Sequence, residues 1–455
     1  MAALLCAACA APPAQVVESK PPELPAAWRA PADSSRSLAE RPYGALFGDP
    51  ELEVLIDEAL RNNRDLRIAA QRVELARAQY GLQDSERWPT LAADLAGTTQ
   101  HAPSALSASE NRSSTLYRAG LALPYWEIDL WGRLSSLSDA ALRNLESTDA
   151  LQRFVQVGLI SRVASGWLAL LEIDRALEIS RRTEVSRAES LRILRRRFEN
   201  GVASMVDVTQ AETALAGAQA ATAQLLQRRG LQENALSVLV GRYPGPFAPR
   251  TPLTSYPLPA ALPAGIPSAL LTRRPDIRAA ELALAGSQSS VDAARKAFLP
   301  SISLTGFLGF VSPQLSQLID SDRAGYTASP AITLPLFTGG RLQSNLAAAE
   351  AQQRIAVEDY ARTTQAALRE VEDALVSFQR LREQRDATER GVTAGRERLR
   401  LVELRYLNGI SGYFEVLDSQ RQLFESELQE NQLTSAVYAS LIELYRALGG
   451  GWQPG

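Results

Sequence analysis

Histidine and cysteine are nearly missing from this chain. One histidine, His101, occurs in 455 residues, which leaves a histidine-based catalytic or metal site without ligands. The only two cysteines are Cys6 and Cys9, so the rest of the chain can hold neither a disulfide framework nor a cysteine zinc site. No uninterrupted apolar run reaches the roughly 18 residues of a transmembrane helix. A membrane crossing by this chain would therefore be a closed β-barrel. The formal charge of -3 gives no polyanion-binding signal, and no nucleic acid partner is expected. No nucleophile–base–acid arrangement and no phosphate loop is present, so neither an enzyme nor a cofactor is expected. Proline is unevenly absent: none of the 25 lies between Pro124 and Pro244 or between Pro335 and Pro454. Proline breaks helix interiors, so each gap has room for an extended helical hairpin.

What is present is written twice. Asp65-Leu-Arg-Ile-Ala-Ala70 recurs as Asp276-Ile-Arg-Ala-Ala-Glu281, Trp88-Pro89 as Leu299-Pro300, and Leu123-Pro124 as Leu334-Pro335, each 211 residues on. Gly132-Arg-Leu134 recurs as Gly340-Arg-Leu342, Asn200-Gly201 as Asn408-Gly409, and Val240-Gly241 as Leu448-Gly449, each 208 on. One small deletion near 336–339 reconciles the two offsets. The unit is too long for a solenoid repeat and is a duplicated half-molecule.

Apolar residues make up 45% of the chain, and inside the proline-free gaps their spacing is helical. Leu215, Ala218, Ala221 and Leu225 step by three and four, as do Leu368, Val371, Leu375 and Phe378, and Val437, Leu441, Leu444 and Leu448. Such seams suit coiled-coil packing. The runs Arg195-Arg-Arg197 and Arg380 to Arg385 read as solvated helix faces. Each gap is interrupted once, at Asn200-Gly-Val-Ala-Ser204 and Asn408-Gly-Ile-Ser-Gly412, where Asn and Gly favour the left-handed backbone that ends a helix. Ser204 followed by Asp207 predicts a capping box that restarts it. The first arm, about 133–198, would be roughly 100 Å long at 1.5 Å per residue, which suits a tube rather than a compact core.

The segments 88–126 and 299–337 each hold two strand-like runs. Ile302, Leu304, Gly306, Leu308 and Phe310 alternate with Ser301, Ser303, Thr305, Phe307 and Gly309, a period of two with Phe307 as the exception. Polar loops at 102–114 and 312–324 separate the paired strands. Four strands cannot close a barrel, and open edges are not tolerated in lipid. Three copies would supply twelve strands. The chain thus divides into a leader 1–9, an extended tail 10–48, a first repeat 49–243 (strands about 88–101 and 115–126, hairpin 133–240), a linker 244–264, a second repeat 265–449 (strands about 299–311 and 325–337, hairpin 340–448) and a tail 450–455. The leader is apolar, and the small residues before Cys9 look like a lipoprotein cleavage site with Cys9 lipidated. Two incidental cysteines in an alanine-rich leader are the plainer alternative.

Trp126-Glu-Ile-Asp-Leu-Trp-Gly-Arg133 and Leu334-Pro-Leu-Phe-Thr-Gly-Gly-Arg341 resemble the strand-to-helix junctions of the TolC-like and OprM-like outer-membrane factor family. Arg273-Arg-Pro-Asp-Ile-Arg-Ala-Ala-Glu281 is similar to the opening of that family's second repeat, and Phe298-Leu-Pro-Ser-Ile-Ser-Leu-Thr-Gly306 to its third strand. The resemblance covers about residues 43 to 450. It implies a mainly α fold with a membrane β-barrel: a homotrimer with a twelve-stranded barrel in the outer membrane, a twelve-helix periplasmic α-barrel, and a collar from residues near 43–60, 242–265 and the C-terminus. It also implies a passive conduit fed by a periplasmic adaptor and an inner-membrane pump of the resistance-nodulation-division class, in a Gram-negative outer membrane. A type I protein secretion channel is the nearest alternative; a coiled-coil scaffold would leave the strand pairs unexplained.

The same resemblance points to two sets of residues. The turns Gly201, Val202, Ala203, Ser204 and Gly409, Ile410, Ser411, Gly412 would face the adaptor. Glu415 and Asp418, three residues apart on one helix face, would form an acidic ring at a periplasmic gate. Such a ring attracts cations, and crowding would raise the carboxylate pKa values. Tyr406 and Glu199 fall where the family places an interhelical latch, and Asp207 is counted with the gate; the family's basic partner is Ser411 here, which leaves the ionic part of that latch in question. Glu415 at a helix N-terminus and Tyr406 in seam packing are the plainer readings. For Trp88, Trp126 and Trp131, interface anchoring and packing at the strand–helix joint both remain open.

Overall fold

A computed structural model of the protein describes residues 24–33, 37–40, 48–101, 113–256, 258 and 262–451. Cys6, Cys9 and most of the loop expected at 102–114 lie outside the described residues. Chain order is α1 (Pro50–Asn62), α2 (Arg64–Ser85), β1 (Ala92–His101), β2 (Ser113–Ile128), α3 (Arg133–Glu199), α4 (Met205–Val240), α5 (Leu270–Arg273), α6 (Pro275–Lys296), β3 (Ser301–Ser312), β4 (Ala324–Thr333), α7 (Arg341–Leu407) and α8 (Tyr413–Ala447). The long arms α3 and α7 have 67 residues each, about 100 Å at 1.5 Å per residue.

Among the described residues, Arg72–Asp149 and Ala279–Ala361 form one compact unit, and those of Pro22–Gln71, Ala150–Arg278 and Arg362–Gly455 form another. Both units draw on both repeats, so packing cuts across the duplication rather than between its halves.

The first unit holds one antiparallel sheet in the order β1-β2-β3-β4. The ladder pairs Leu95 with Ala119, Leu121 with Leu308, Leu308 with Tyr326, and Ile302 with Ile332. Alternation places these residues on one face, which is apolar, while Asp94, Arg118, Ser303, Thr305 and Thr327 share the other. The apolar face is bare: Leu95 is 77%, Tyr326 79% and Ile332 73% exposed. Both edges, β1 and β4, lack a partner strand among the described residues. Prolines set the strand limits, because proline cannot donate to a ladder. β1 begins only at Ala92, beyond Pro89; β3 begins after Pro300; and β4 stops at Thr333, short of Pro335. β2 runs through Pro124 by shifting register between Leu123 and Trp126, a bulge that puts Trp126 on the apolar face. Gly120 lies opposite Gly309, and a Cβ on either would run into the other strand's backbone, at the carbonyls of Leu308 and Ala119. Phe307 covers that bare patch, its Cζ 2.9 Å from where a Gly309 Cβ would stand. The Arg118 guanidinium sits 5.9 Å from the Phe307 ring centre and pairs with Asp94 at 2.6 Å. This accounts for the one aromatic out of pattern. The Trp126 indole donates to the Arg87 carbonyl and the Trp131 indole to the Pro300 carbonyl, so both ring nitrogens are used in the strand–helix joint.

The second unit is helical. Val437, Leu441, Leu444 and Leu448 are buried, as are Val371, Leu375, Phe378, Ala218 and Leu225. α3 also contains a stretch of mean hydropathy 1.5, long and apolar enough by composition to cross a bilayer; the uninterrupted-run criterion missed it because polar residues punctuate it. Some 56% of that stretch is buried in the protein, at residues such as Leu159, Val163, Trp167 and Leu170. Charges bind the helices across the seams. Glu427 of α8 accepts from Arg182 of α3 and Arg396 of α7, each at 2.8 Å. Buried Glu172 receives Arg228 at 3.5 Å, and its main-chain carbonyl accepts from Asn431 at 2.8 Å. Asp49 caps α1 through Glu51 N and accepts from Trp167 and from the Tyr256 hydroxyl.

The duplication survives at atomic detail here. Asn63 donates to the Leu239 carbonyl, and at the matching place Arg274 donates to the Ala447 carbonyl. Gly241 and Gly449 both have positive φ, 83° and 76°, and a Cβ on them would meet the carbonyls of Asn62 and Arg273 at 2.6 and 2.7 Å.

Candidate functional site

The two interhelical turns have the same hydrogen bonds. Gly201 N donates to Phe198 O and Val202 N to Arg197 O; Gly409 N donates to Tyr406 O and Ile410 N to Arg405 O. These are paired Schellman closures, with Gly201 and Gly409 at φ 74° and 72°. Asn200 and Asn408 each return a side-chain amide to the carbonyl four residues back. The restarts differ. Ser204 and Asp207 form the reciprocal capping box expected from sequence, whereas Gly412 begins α8 with no side-chain cap. Val202 and Ile410 are exposed, as are Met205, Val206 and Phe414 beside them. Each turn thus presents bare apolar side chains at its end.

Behind the turns lies a small core of Leu191, Leu194, Val208, Ala211, Tyr413 and Val416. Tyr406 of α7 packs on it, its ring centre 5.7 Å from that of Tyr413 at 60°. The Arg197 guanidinium of α3 stands 4.9 Å from the Tyr406 ring centre, a cation–π contact. Burial pushes the Tyr406 hydroxyl above its ordinary pKa. Glu199 is exposed and makes no hydrogen bond or ion pair among the described residues. The structure therefore brings Tyr406 to Arg197 rather than to Glu199. Ser411 is part-buried, and its hydroxyl has no partner among the described residues.

Asp418 and Glu415 are not equivalent. Asp418 accepts from Arg421 at 2.9 Å, Gln422 at 2.8 Å and Arg398 at 3.3 Å. The Arg421 hydrogen bond, with Gln422 and Arg398 behind it, holds its carboxyl below the usual range. Within one chain the arginines are nearer to Asp418 than any second acid. Glu415, at the third position of α8, is exposed and carries no side-chain partner among the described residues. Sequence reasoning missed Arg197, Arg398 and Arg421. Asp418 and Arg421 at i and i+3 were a readable ion-pair signal; Arg197 was lost in a basic run taken as solvated. Among the described residues no group of three or more His, Cys, Asp or Glu could hold a metal ion.

A sheet with one bare apolar face and two unpaired edges, in a chain otherwise built of very long antiparallel helices, defines an outer-membrane barrel channel with helical extensions. The chain belongs to the outer membrane efflux protein family, which matches residues 55–242 and 266–450. It is 38% identical to outer membrane protein OprJ of Pseudomonas aeruginosa over 410 residues, 90% of this chain and 85% of that one. It is 39% identical to the toluene efflux pump outer membrane protein TtgI of Pseudomonas putida, over 89% of this chain and 86% of TtgI. The crystal structure of the open state of the MtrE outer membrane channel of Neisseria gonorrhoeae is similar at a TM-score of 0.85 and 34% identity, covering 94% of this chain and 96% of that one. The chain is an outer-membrane channel component of tripartite efflux.

Proposed function

We propose that three copies of the chain close a twelve-stranded barrel and a twelve-helix duct that passively conducts small molecules outward. The observation that carries this reading is the four-stranded sheet: its apolar face needs lipid and its two edges need strands, and sister copies supply the edges. The substrate is not chemically altered, and the driving energy comes from an inner-membrane pump of the resistance-nodulation-division class. The exposed apolar turns at 201–204 and 409–412 are the surface for a periplasmic adaptor. Tyr406, Arg197, Asp207, Glu199, Glu415 and Asp418 make up the gate, and Cys9 is the lipidated residue. The toluene efflux named for the relative TtgI supports small molecules over polypeptides.

Single-channel recording in planar bilayers tests the conduit. The wild type should give small, discrete steps; a purified trimer with no steps at all would sink the pore. Glu415→Ala should lower cation preference. Asp418→Ala should lower it further by releasing Arg398 and Arg421, and the double variant should conduct more. Unchanged selectivity in all three would remove these carboxylates from the gate.

A further inference from the structure

The helices of the first unit follow one another in the order α2, α3, α6, α7, as the strands do in the sheet. Asp84 of α2 accepts from the Ser138 hydroxyl of α3 at 2.8 Å. α6 packs on α3, and Arg295 of α6 pairs with Glu350 of α7 at 3.2 Å. α6 thus has a helix on each side. Its α3 side is built for close approach. The Ser147 hydroxyl donates to the Ala279 carbonyl at 2.9 Å, and Lys296 donates to the Gly132 carbonyl at 3.1 Å. A Cβ on Gly286 would stand 3.2 Å from the Arg143 Cβ and 3.3 Å from the Ala140 carbonyl oxygen. Ala279, Gly286 and Ala293, seven residues apart along this face, are all buried.

The duplication gives each of these residues a counterpart. Counted back by 211, Ala279, Gly286 and Ala293 become Ile68, Leu75 and Leu82 of α2. These make one stripe on the helix, and it is bare, at 52%, 58% and 71% exposure. Val73 and Ala76, on the other face of α2, are buried. Counted forward by 208, Ala140, Arg143 and Ser147 of α3 become Ala348, Ala351 and Ile355 of α7. Ala348 and Ile355 are exposed and Ala351 is part-buried. The face by which α6 meets α3 is therefore repeated on α2, and the face by which α3 meets α6 is repeated on α7. The two repeats sit at opposite ends of the helix row, on the helices that adjoin the open strand edges β1 and β4, so one chain cannot bring them together.

Their volumes are exchanged. Where α6 has glycine against arginine, α2 has leucine and α7 has alanine. Large meets small in both pairs, with the sides reversed, and packed faces tolerate such changes where the summed volume is kept. Leu75 could not take the place of Gly286 on α3, because its Cβ alone would press on Arg143; Ala351 leaves it room. A lipid tail on the stripe would call for no such match.

We propose that the α2 stripe is covered by α7 of a second copy, with Leu75 seated on Ala348 and Ala351, so that the α6–α3 contact within one chain is repeated between chains. The inference rests on the three-copy reading and deepens it: the exchange of leucine and alanine is what sets the order of helices around the ring. The full chain in detergent, as Leu75→Cys/Ala351→Cys, is oxidised with copper phenanthroline and run on a non-reducing denaturing gel. Cys6 and Cys9 remain, so each single variant is a control, and Arg77→Cys/Ala351→Cys moves the first thiol to another face of α2. Covalent dimers and trimers are expected only from the first pair, whose thiols come within disulfide reach. Leu75→Gly should lower the temperature at which the trimer parts, and Leu75→Arg should lower it further. Leu75→Gly/Ala351→Arg, which writes the α6–α3 pair across the junction, should recover part of the loss; a leucine that merely steadied α2 would show no recovery. A sample that is trimeric by light scattering yet yields no covalent species beyond the controls would overturn the α2–α7 junction and leave the conduit standing, as would a link confined to single chains. A wild type that is monomeric and gives no conductance would sink both.

Discussion

At the tip of the helical unit, Arg197, Tyr406 and Tyr413 stack in turn, joining three helices through one aromatic ring. If this stack holds the gate shut, Arg197→Ala should cost the closed state about 1 kcal/mol, an increase in open probability of about fivefold in single-channel records. Tyr406→Phe keeps the ring and should change little, while Tyr406→Ala should match Arg197→Ala. Equal effects of Phe and Ala would assign the latch to the hydroxyl instead. In the sheet, Gly309→Val meets the Ala119 carbonyl with no room to move. It should cost about 4 kcal/mol or more, read as loss of heat-modifiable trimer on a gel. The Arg197 contact could not be read from sequence, because a cation–π pair between residues some two hundred positions apart leaves no local pattern. The Gly120–Gly309 pairing was equally hidden: each glycine looks like a gap in an alternating strand until the register places them opposite.

At the scale of elements, most of the architecture was legible. Proline-free gaps, a three-and-four apolar rhythm and Asn-Gly interruptions located four long helices, and the capping box at Ser204 and Asp207 formed as written. These signals are local, so they survive without tertiary knowledge. Strand limits were less legible, since Pro89 and Pro335 were included in strands whose ladders they terminate. The turn glycines give a direct test. Gly201→Ala and Gly409→Ala force a side chain into left-handed backbone and should each cost about 1–2 kcal/mol, measured as a lowered thermal midpoint. No loss at either site would mean that the turn relaxes to another closure.

At the scale of the whole molecule, the buried acid Glu172 sets a pH dependence. Burial raises the Glu172 carboxyl above its ordinary 4.5. The folded chain therefore keeps a proton that the unfolded chain releases, and the stability it lends is complete below 4.5 and lost as pH climbs through the raised value. Glu172→Gln removes this dependence. The thermal midpoint of the wild type should fall relative to that of the variant between pH 4 and pH 8, and parallel curves would count against it. Asp418 behaves oppositely: its depressed pKa keeps it ionised at mildly acidic pH, so its pairing with Arg421 should persist there. That the chain carries four strands, too few for a ring, was visible in the sequence; the neutralisation of Asp418 was not, because helix-face neighbours decide it.

The unmatched restart at Gly412 has one more outcome. Glu415 occupies in α8 the position that Asp207 occupies in α4, so Gly412→Ser would recreate a Ser-x-x-Glu box and draw that carboxylate out of solvent onto the helix end. Deuterium uptake at the first amides of α8 should slow toward that of α4, and the pore should lose cation preference in the same variant. A single hydroxyl would then trade ion discrimination for a quieter hinge, which suggests why the two copies of an ancestral turn have diverged at this residue.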